Sequence, residues 1–238
     1  MDFIDFHAHV LPGIDDGAKD IAESQKLLVS QKRQGISRVV ATPHYLKYTS
    51  ITEFVKKRDA ALELVTKEIH DDIPQIIPGA EVELYYGFTQ KRNLERLCIQ
   101  NTNYILIELP FEFWNEWIYE ELYQLSVKHK LRPIIAHLDR YITTTRNLKF
   151  VDKLLEKDVL IQVNAGALSR FTSRLIVKEF WKKNALTILG SDCHDSRGRR
   201  CELLKAYKIV KKKLGEDAFN NIINNGEKIL NNTKIYRH

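Results

Sequence analysis

The 238-residue sequence is 44% hydrophobic and 29% charged, a composition typical of a globular protein and not of a disordered chain. Its net charge of +6 arises partly from helix-like runs at 56–58 and 211–213, and no basic stripe interleaved with aromatics favours nucleic-acid binding. No apolar run approaches the roughly 18 residues of a membrane span, and Cys98, Cys193 and Cys201 form neither a disulfide framework nor a CxxC pair. We therefore expect a cytoplasmic protein that consists of a single domain, residues 1–238.

Short apolar runs alternate with amphipathic segments from one end of the chain to the other. The apolar runs predict seven strands, at 2–8, 36–42, 75–82, 104–109, 132–137, 159–164 and 186–192. Runs such as YILIEL and PIIAH lack polar alternation, which favours strands buried on both faces of a parallel sheet. Seven such units predict an α/β fold, a distorted (β/α)7 barrel that resembles the TIM barrel.

The segments between the strands carry helical signals. Asp20 with Glu23 resembles a capping pair that opens the first helix, and Thr172 could cap a later one. Two more helices are predicted at 202–214 and 216–231. The clearest helical stripe lies between the second and third strands, at Phe54, Arg58, Ala61, Leu62, Val65 and Ile69.

Five histidines fall where apolar runs end, namely His7, His9, His44, His137 and His194. Glu81 and Glu108 end runs in the same way, and Asp192 lies two residues before His194. Active sites of α/β barrels gather at the carboxyl ends of the strands. Imidazoles mixed with carboxylates are the ligands of zinc, iron or manganese, so the pattern predicts a metal site containing several ions.

Spacing narrows some of these assignments and leaves others open. Alternate residues of a strand share a face, so His7 and His9 can point to the metals while Ala8 and Cys193 point away. Glu81 and Glu83 share a face as well, and either could be the ligand. Asp16 is a predicted ligand, whereas Asp15 could equally be a turn residue. His70 and His129 lie near predicted helix ends and His238 is terminal, so these three are not expected to bind metal.

Several motifs together resemble a known family. The HAH start, LPGIDDG, ATPH, GAEVEL, Glu108, AHLDRY and GSDCH occur in the order found in the bacterial polymerase-and-histidinol-phosphatase (PHP) domain phosphatases. The branch most similar to this chain is the CpsB/CapC/YwqE type of manganese-dependent protein tyrosine phosphatase. The resemblance spans residues 3 to about 200.

The resemblance implies three divalent metal ions, with manganese expected and iron or zinc as alternatives. The implied ligands are His7, His9, Glu81 and Asp192 for one ion, Glu81, Glu108 and His137 for a second, and Asp16, His44 and His194 for the third. Arg140 and Arg199 would bind phosphate, with Arg197 and Arg200 as near competitors. The family usually has His-Pro-Glu-Arg where this chain has His137-Leu138-Asp139-Arg140, which leaves the aim of Arg140 open.

The implied reaction is hydrolysis of phosphotyrosine on a protein, with a metal-bridged hydroxide as nucleophile. Asp195 could assist as an acid. The implied partner is a bacterial tyrosine kinase of capsule or exopolysaccharide synthesis, which the protein would dephosphorylate on its tail. The sequence is also compatible with a homo-oligomer. The alternatives are hydrolysis of a small phosphate ester such as histidinol phosphate, and a non-catalytic regulator that binds a kinase.

Two further features have competing interpretations. Phe111, Phe113, Trp114 and Trp117 follow Glu108, and they form either a hydrophobic plug or a wall for an aromatic substrate; Tyr45 and Tyr48 are weaker candidates for such a wall. Cys193 and Arg199 match the Cys-x5-Arg spacing of cysteine-dependent tyrosine phosphatases. The intervening HDSRG lacks much of the glycine of a phosphate cradle, so we favour the metal mechanism.

Overall fold

The computed structural model describes residues 2–111, 114–145 and 148–235, with residues 143–145 and 148–150 described for their backbone alone. Nine strands occur in the described ranges: β1 (Phe3–Ala8), β2 (Ile36–Ala41), β3 (His44–Tyr45), β4 (Gln75–Pro78), β5 (Glu81–Glu83), β6 (Tyr104–Glu108), β7 (Arg132–Ile135), β8 (Leu160–Asn164) and β9 (Leu186–Gly190). The helices there are α1 (Ile21–Arg33), α2 (Ile51–Glu68), α3 (Glu116–Val127), α4 (Leu138–Thr145), α5 (Leu148–Leu155), α6 (Phe171–Lys182), α7 (Leu203–Lys213) and α8 (Glu216–Leu230).

The chain has an α/β fold in which every strand pair of the described residues is parallel. One sheet has the order β1-β2-β4, and the other has the order β3-β5-β6-β7-β8-β9. Strands such as β6, β8 and β9 are buried along nearly their whole length, as their continuous apolar sequences predict. Parallel order brings the carboxyl ends of neighbouring strands to one edge of each sheet.

One predicted strand is interrupted, which corrects the expectation of a continuous strand at 75–82. The break lies between β4 and β5 at Gly79, whose N–H donates to Ala41 O at 2.9 Å. The strand predicted at 36–42 is present as β2, and the short strand β3 follows it after a second break at Pro43, which has no N–H to donate to a neighbouring strand. Beyond the breaks the strands pair again, and His44 lies opposite Glu81. The interruptions therefore place two predicted ligands side by side.

The ends of the first and last strands also meet. Ala8 forms a parallel bridge with Cys193, the His9 N–H donates to Cys193 O at 2.9 Å, and the Asp192 N–H donates to His7 O at 2.7 Å. These bonds join the end of β1 to the segment that follows β9. The two metal-ligand motifs that lie farthest apart in the sequence are thus adjacent in space.

Most helix predictions are confirmed. Asp20 caps α1 by accepting a hydrogen bond from the Glu23 N–H at 2.9 Å, and α7 and α8 cover the predicted 202–214 and 216–231. Thr172 is not a cap, because α6 begins at Phe171 and Thr172 lies inside it. No helix in the described ranges is long and apolar enough to span a bilayer.

Candidate metal centre

The nine predicted ligands converge at the carboxyl ends of the strands. His7 and His9 come from the end of β1, Asp16 from the loop after it, His44 from β3, Glu81 from β5, Glu108 from the end of β6, His137 from just after β7, and Asp192 and His194 from after β9. All but Asp16, His44 and Glu108 are buried. Burial of this many ionisable groups is costly unless each is paired or holds a cation.

The first group surrounds one oxygen of Glu81. His7 Nε2 lies 3.0 Å and His9 Nε2 lies 3.1 Å from Glu81 Oε2, and the two imidazole nitrogens are 3.1 Å apart. Asp192 Oδ1 lies 3.6 Å from His7 Nε2 and 3.7 Å from His9 Nε2. Four donor atoms therefore face one another at separations that a small divalent cation could bridge.

The second group uses the other oxygen of Glu81. His137 Nε2 lies 2.8 Å from Glu81 Oε1 and 3.4 Å from Glu108 Oε1. His44 Nδ1 also lies 3.3 Å from Glu81 Oε2 and 4.0 Å from Glu108 Oε2, so this group overlaps with the next one. Glu81 lies close to both of these histidines and to His7 and His9, whereas Glu83 turns away and accepts a hydrogen bond from the Lys47 N–H at 2.9 Å.

The third group centres on Asp16, which is 62% exposed. Its Oδ1 atom lies 3.4 Å from His44 Nε2 and 3.3 Å from His194 Nε2. Burial and the nearby positive His9 lower the pKa of His194 to about 4. His194 is therefore neutral near pH 7, which is the form of imidazole that binds a metal.

The donor atoms fit a metal cluster. His137 Nδ1 and His194 Nε2 are buried and have no hydrogen-bond partner among the described residues. Buried polar atoms without a partner are rare in native proteins and commonly mark an ion or water site. Imidazole and carboxylate donors form three sets, in each of which the donor atoms lie within 4.8 Å of one another, and the sets overlap at His9, His44 and Glu81. The residues present thus suit several adjacent divalent cations.

Asp15 supports His9 instead of facing the cluster. Its Oδ2 atom lies 2.7 Å from His9 Nδ1 and accepts a hydrogen bond from the His44 N–H at 3.0 Å. Burial opposes ionisation of Asp15, but the hydrogen bond to His9 outweighs it and lowers the pKa of Asp15 to about 2. A carboxylate on one imidazole nitrogen directs the other nitrogen towards a metal. Of the two interpretations from sequence, Asp15 is thus neither a plain turn residue nor a facing ligand.

Two buried amides of β8 were missed in the sequence. Gln162 Oε1 lies 3.1 Å from His7 Nδ1 and accepts from the His137 N–H at 2.7 Å. The side chain of Gln162 donates to Asn164 Oδ1 at 2.9 Å, and Asn164 in turn donates to Asp192 Oδ2 at 2.8 Å. This amide chain links three predicted ligands. The available signal was the pair of polar residues, two apart, in the otherwise apolar run LIQVN.

Glycines lie directly behind the two histidines of β1. A Cβ atom on Gly190 would lie 2.5 Å from the Cβ of His7 and 2.8 Å from Gln162 Nε2. A Cβ atom on Gly17 would overlap with the Cβ and the carbonyl oxygen of His9. Only glycine fits at both positions because the backbone approaches the ligand side chains so closely.

Both predicted arginines reach the cluster. Arg140 Nη2 donates to Asp192 Oδ2, and Arg199 Nη2 donates to Asp192 Oδ1 at 2.9 Å. At the two positions that depart from the family pattern, Leu138 is buried in the core and Asp139 accepts a hydrogen bond from the Asn164 N–H at 2.9 Å. Of the competing arginines, Arg199 is the one placed beside Asp192.

The hydrogen bonds of Asp195 differ from those expected of a residue that donates a proton to the leaving group. Its carboxylate accepts hydrogen bonds from the N–H groups of Gly198, of Arg199 at 3.1 Å, and of Arg197 at 2.7 Å. These bonds lower the pKa of Asp195, so it is ionised at neutral pH. The geometry fits a role in shaping the loop that carries Arg199, and it does not fit the proton donor predicted from the sequence.

The aromatic residues after Glu108 divide into two sets. Phe111 is 48% exposed, and its ring is nearly parallel to that of His137 with centroids 6.2 Å apart. Trp114 is 6% exposed and packs on Tyr141, so it belongs to the core; Trp117 is half-buried. Phe113 lies outside the described residues. Of the described aromatic residues in this segment, Phe111 is the one placed as a wall beside the cluster.

The other candidates lie apart from the cluster. Tyr45 is buried and donates to Thr49 O at 2.8 Å, whereas Tyr48 is 93% exposed. Cys193 is buried behind the cluster with its Sγ atom near Gln31, and burial raises the pKa of its thiol. A thiol in this state is a poor nucleophile. His129 contacts Thr89 O at 2.9 Å and His70 is exposed, while His238 lies outside the described residues.

Comparisons with known proteins cover nearly the whole chain. The family model described as "Capsular polysaccharide synthesis, CpsB/CapC" matches residues 3–231. The tyrosine-protein phosphatase YwqE of Bacillus subtilis is 32% identical, over 98% of this chain and 94% of its own length. The tyrosine-protein phosphatase CpsB of Streptococcus pneumoniae is 28% identical, over 95% of this chain and 98% of its own length.

A solved structure agrees with these relatives. It comes from a study of YwqE from Bacillus subtilis and CpsB from Streptococcus pneumoniae, described as metal-dependent tyrosine phosphatases. It superposes on this chain with a TM-score of 0.86 at 28% identity and covers 99% of this chain and 97% of its own. The fold, the order of the motifs and the sequence match all agree, and the chain belongs to the CpsB/CapC family of capsular polysaccharide synthesis proteins.

Proposed function

We propose that this protein is a metal-dependent tyrosine phosphatase, as the names of its relatives describe them. The observation that carries the proposal is the convergence of five histidines and four carboxylates on one edge of the sheets, with Arg140 and Arg199 beside them. Imidazoles and carboxylates suit divalent cations, and paired guanidinium groups suit a phosphate. No other cluster among the described residues combines metal-binding side chains with a pair of arginines.

The proposed metal content is three divalent ions, with manganese expected. The first would be held by His7, His9, Glu81 and Asp192, the second by Glu81, Glu108 and His137, and the third by Asp16, His44 and His194. When bound, such ions lower the pKa of a coordinated water and offset the charge of a phosphoryl group. His194 Nε2 supports this assignment, because it is buried without a hydrogen-bond partner among the described residues and lies 3.3 Å from Asp16 Oδ1.

The chain's own side chains bind and orient the substrate. Arg140 and Arg199 donate to the phosphoryl oxygens, on which charge increases during in-line displacement at phosphorus. The ring of Phe111 packs against the phenyl ring of phosphotyrosine, which lies over the same edge of the sheet as His137. Phenolate is a good leaving group, so the reaction proceeds without a protonated Asp195.

We also propose that the two sheets form one distorted (β/α)7 barrel and one domain over residues 1–238. Seven strand positions result when β2 and β3 are taken as one interrupted strand, and likewise β4 and β5. The bridge between Ala8 and Cys193 supports closure of the ring. A cluster of buried apolar residues supports it too, because its members come from strands of both sheets: Phe6, Val40, Leu106, Ile134 and Ile188.

The proposed substrate is a phosphotyrosine protein. The capsule-synthesis family suggests a bacterial tyrosine kinase of that process, dephosphorylated on its tail. A protein substrate also agrees with the open position of Asp16 and Phe111 at the rim of the cluster.

The test combines metal analysis with turnover. Purified protein is analysed for metals, stripped with a chelator and reloaded with manganese, iron or zinc, and each form is assayed on a phosphotyrosine peptide and on histidinol phosphate. We expect hydrolysis of the peptide that is lost on stripping and restored by manganese. His194→Ala should lose both bound metal and activity, and His70→Ala is the matched control. Metal-independent turnover, or turnover of histidinol phosphate alone, would contradict the proposal.

A further inference from the structure

A cavity of about 550 Å³ opens beside Asp192 and extends away from the metal centre. Arg140, Asp192 and Arg199 line the end that adjoins the centre. The rest of the wall comes from the short 3-10 helix Ala165–Ser169, which includes Gly166, from Arg170 directly after it, and from the loop after β9. The cavity is therefore continuous with the candidate active site but extends beyond it.

Five arginines line this cavity, and three of them have no acidic partner. In the described part of the chain, no carboxylate oxygen lies within 4.0 Å of a side-chain nitrogen of Arg170, Arg197 or Arg200. The acids of the wall are engaged elsewhere, because Glu202 pairs with Lys205 and Asp139 accepts from the Asn164 N–H. Even with Asp139, Asp192 and Glu202 counted as ionised, the five arginines outnumber the three acids of the lining, so the cavity wall is positively charged overall.

The cavity also offers space and neutral hydrogen-bonding groups. Ser169 Oγ is buried and has no hydrogen-bond partner among the described residues. A Cβ atom on Gly166 would meet no atom within 4 Å, so the wall beside Arg170 is open. The lining contains no aromatic residue, which argues against stacked nucleotide bases as the occupant.

We propose that this arginine cavity binds an anionic side chain, carboxylate or phosphate, of the same peptide that presents its phosphotyrosine to the metal centre. The inference rests on the proposed phosphatase function and adds sequence selectivity to it. Alternate side chains of an extended peptide project to the same side about 6.6 Å apart, so an anionic group two residues from the phosphotyrosine can enter the adjoining cavity. Guanidinium groups bind carboxylate and phosphate through the same paired hydrogen bonds.

The test uses three phosphotyrosine peptides that differ only at the position two residues away from the target: alanine, aspartate or phosphoserine. Wild-type protein loaded with manganese should show a KM about fivefold lower for the two anionic peptides than for the alanine peptide, with similar kcat. The aspartate and phosphoserine peptides distinguish the two sources of negative charge. Peptides with the anion on the other side of the phosphotyrosine establish the direction of binding.

Two variants alter the cavity without touching the predicted ligands or the phosphate-binding arginines. Arg170→Glu reverses one charge of the wall, and Gly166→Leu fills the open space beside it. Both should raise the KM for the anionic peptides by about fivefold or more and leave the alanine peptide unchanged. Arg33→Glu is the matched control, because Arg33 ends α1 at the opposite edge of the sheet, before β2 begins. It should change none of these values.

The outcomes separate this inference from the proposed function. If wild-type protein hydrolyses all three peptides with the same KM, the arginine cavity does not select the substrate and the inference is wrong, while the phosphatase function stands. Equal losses on all peptides in Arg170→Glu would also overturn it. If none of the peptides is hydrolysed by metal-loaded wild-type protein, the proposed function fails and the inference with it.

Discussion

Gln162 Oε1 lies 3.1 Å from His7 Nδ1, inside the buried strand β8, whose other residues apart from Asn164 are apolar. The same oxygen accepts the His137 N–H at 2.7 Å, so one amide fixes two predicted metal ligands. With Nδ1 of His7 engaged, its Nε2 faces Glu81. Groups that hold the far nitrogen of a ligating histidine set its tautomer and orientation.

We expect Gln162→Leu to weaken metal binding by about 10–100-fold, since loss of such partners has this effect in other metal sites. Stability should fall by about 1–3 kcal/mol, because the His137 N–H is left buried and unpaired. Titration of the stripped protein with manganese measures the first effect and chemical denaturation the second. Thr187→Val is the control, because Thr187 is a buried hydrogen-bonding residue of β9 outside the cluster. An unchanged metal affinity in Gln162→Leu would contradict the role of the amide.

Asp15 and Asp20 allow a comparison between an aspartate that supports a predicted metal ligand and a nearby aspartate that caps a helix. Asp15→Ala should lower metal affinity by about 10–100-fold, because it frees His9 Nδ1. Asp20→Ala should instead cost about 1 kcal/mol of unfolding free energy through loss of the α1 cap and leave metal affinity unchanged. Metal titration and denaturation of both variants decide the assignment. Equal metal affinities in the two variants would show that Asp15 is only a turn residue.

Phe111 and Trp114 should give opposite results although they are close in sequence. Trp114→Ala should reduce the unfolding free energy by about 3–5 kcal/mol, as removal of a buried aromatic does. Phe111→Ala should change stability little and should raise the KM for aryl phosphates relative to alkyl phosphates. Kinetics on phosphotyrosine and phosphoserine, with thermal unfolding of both variants, test this. If Phe111→Ala leaves the aryl preference intact, the proposed wall is wrong.

Cys193 provides the test against a cysteine mechanism. Its thiol is buried behind the cluster, and burial raises its pKa, so Cys193→Ser should retain most of the activity. A chelator should abolish the activity of the wild-type and variant proteins alike. The result that overturns a metal mechanism is the reverse, in which the variant is inactive and chelation has no effect.

Much of the site could be predicted because the carboxyl ends of parallel strands lie at the same edge of a sheet. A histidine or acid that ends a buried strand lies beside the one that ends the next strand, which is why His44 lies opposite Glu81 in the structure. Cys193 is turned away from the cluster as predicted, although it lies beyond the end of β9, where an isolated bridge to Ala8 holds the backbone. These relationships depend on local periodicity and on sheet order, and both can be read from one sequence.

The remaining features depend on contacts between distant segments. The breaks after β2 and β4 follow from how Pro43 and Gly79 meet neighbouring backbone, and a continuous apolar run does not reveal them. Asp15 and Asp195 occur in loops whose backbone conformation determines what their carboxylates accept. The burial of Trp114 depends on Tyr141, which lies on a separate helix.

The close approach of Gly190 to His7, and of Gly17 to His9, determines which changes the metal centre can tolerate. Neither glycine can acquire a side chain without displacing a ligand, so the rear of the centre is fixed by the backbone. The solvent-facing side of the centre is not fixed in this way, because Asp16 is largely exposed and can be exchanged without repacking the interior. Changes in metal preference, whether by evolution or by design, are therefore expected to begin at the solvent-facing ligands.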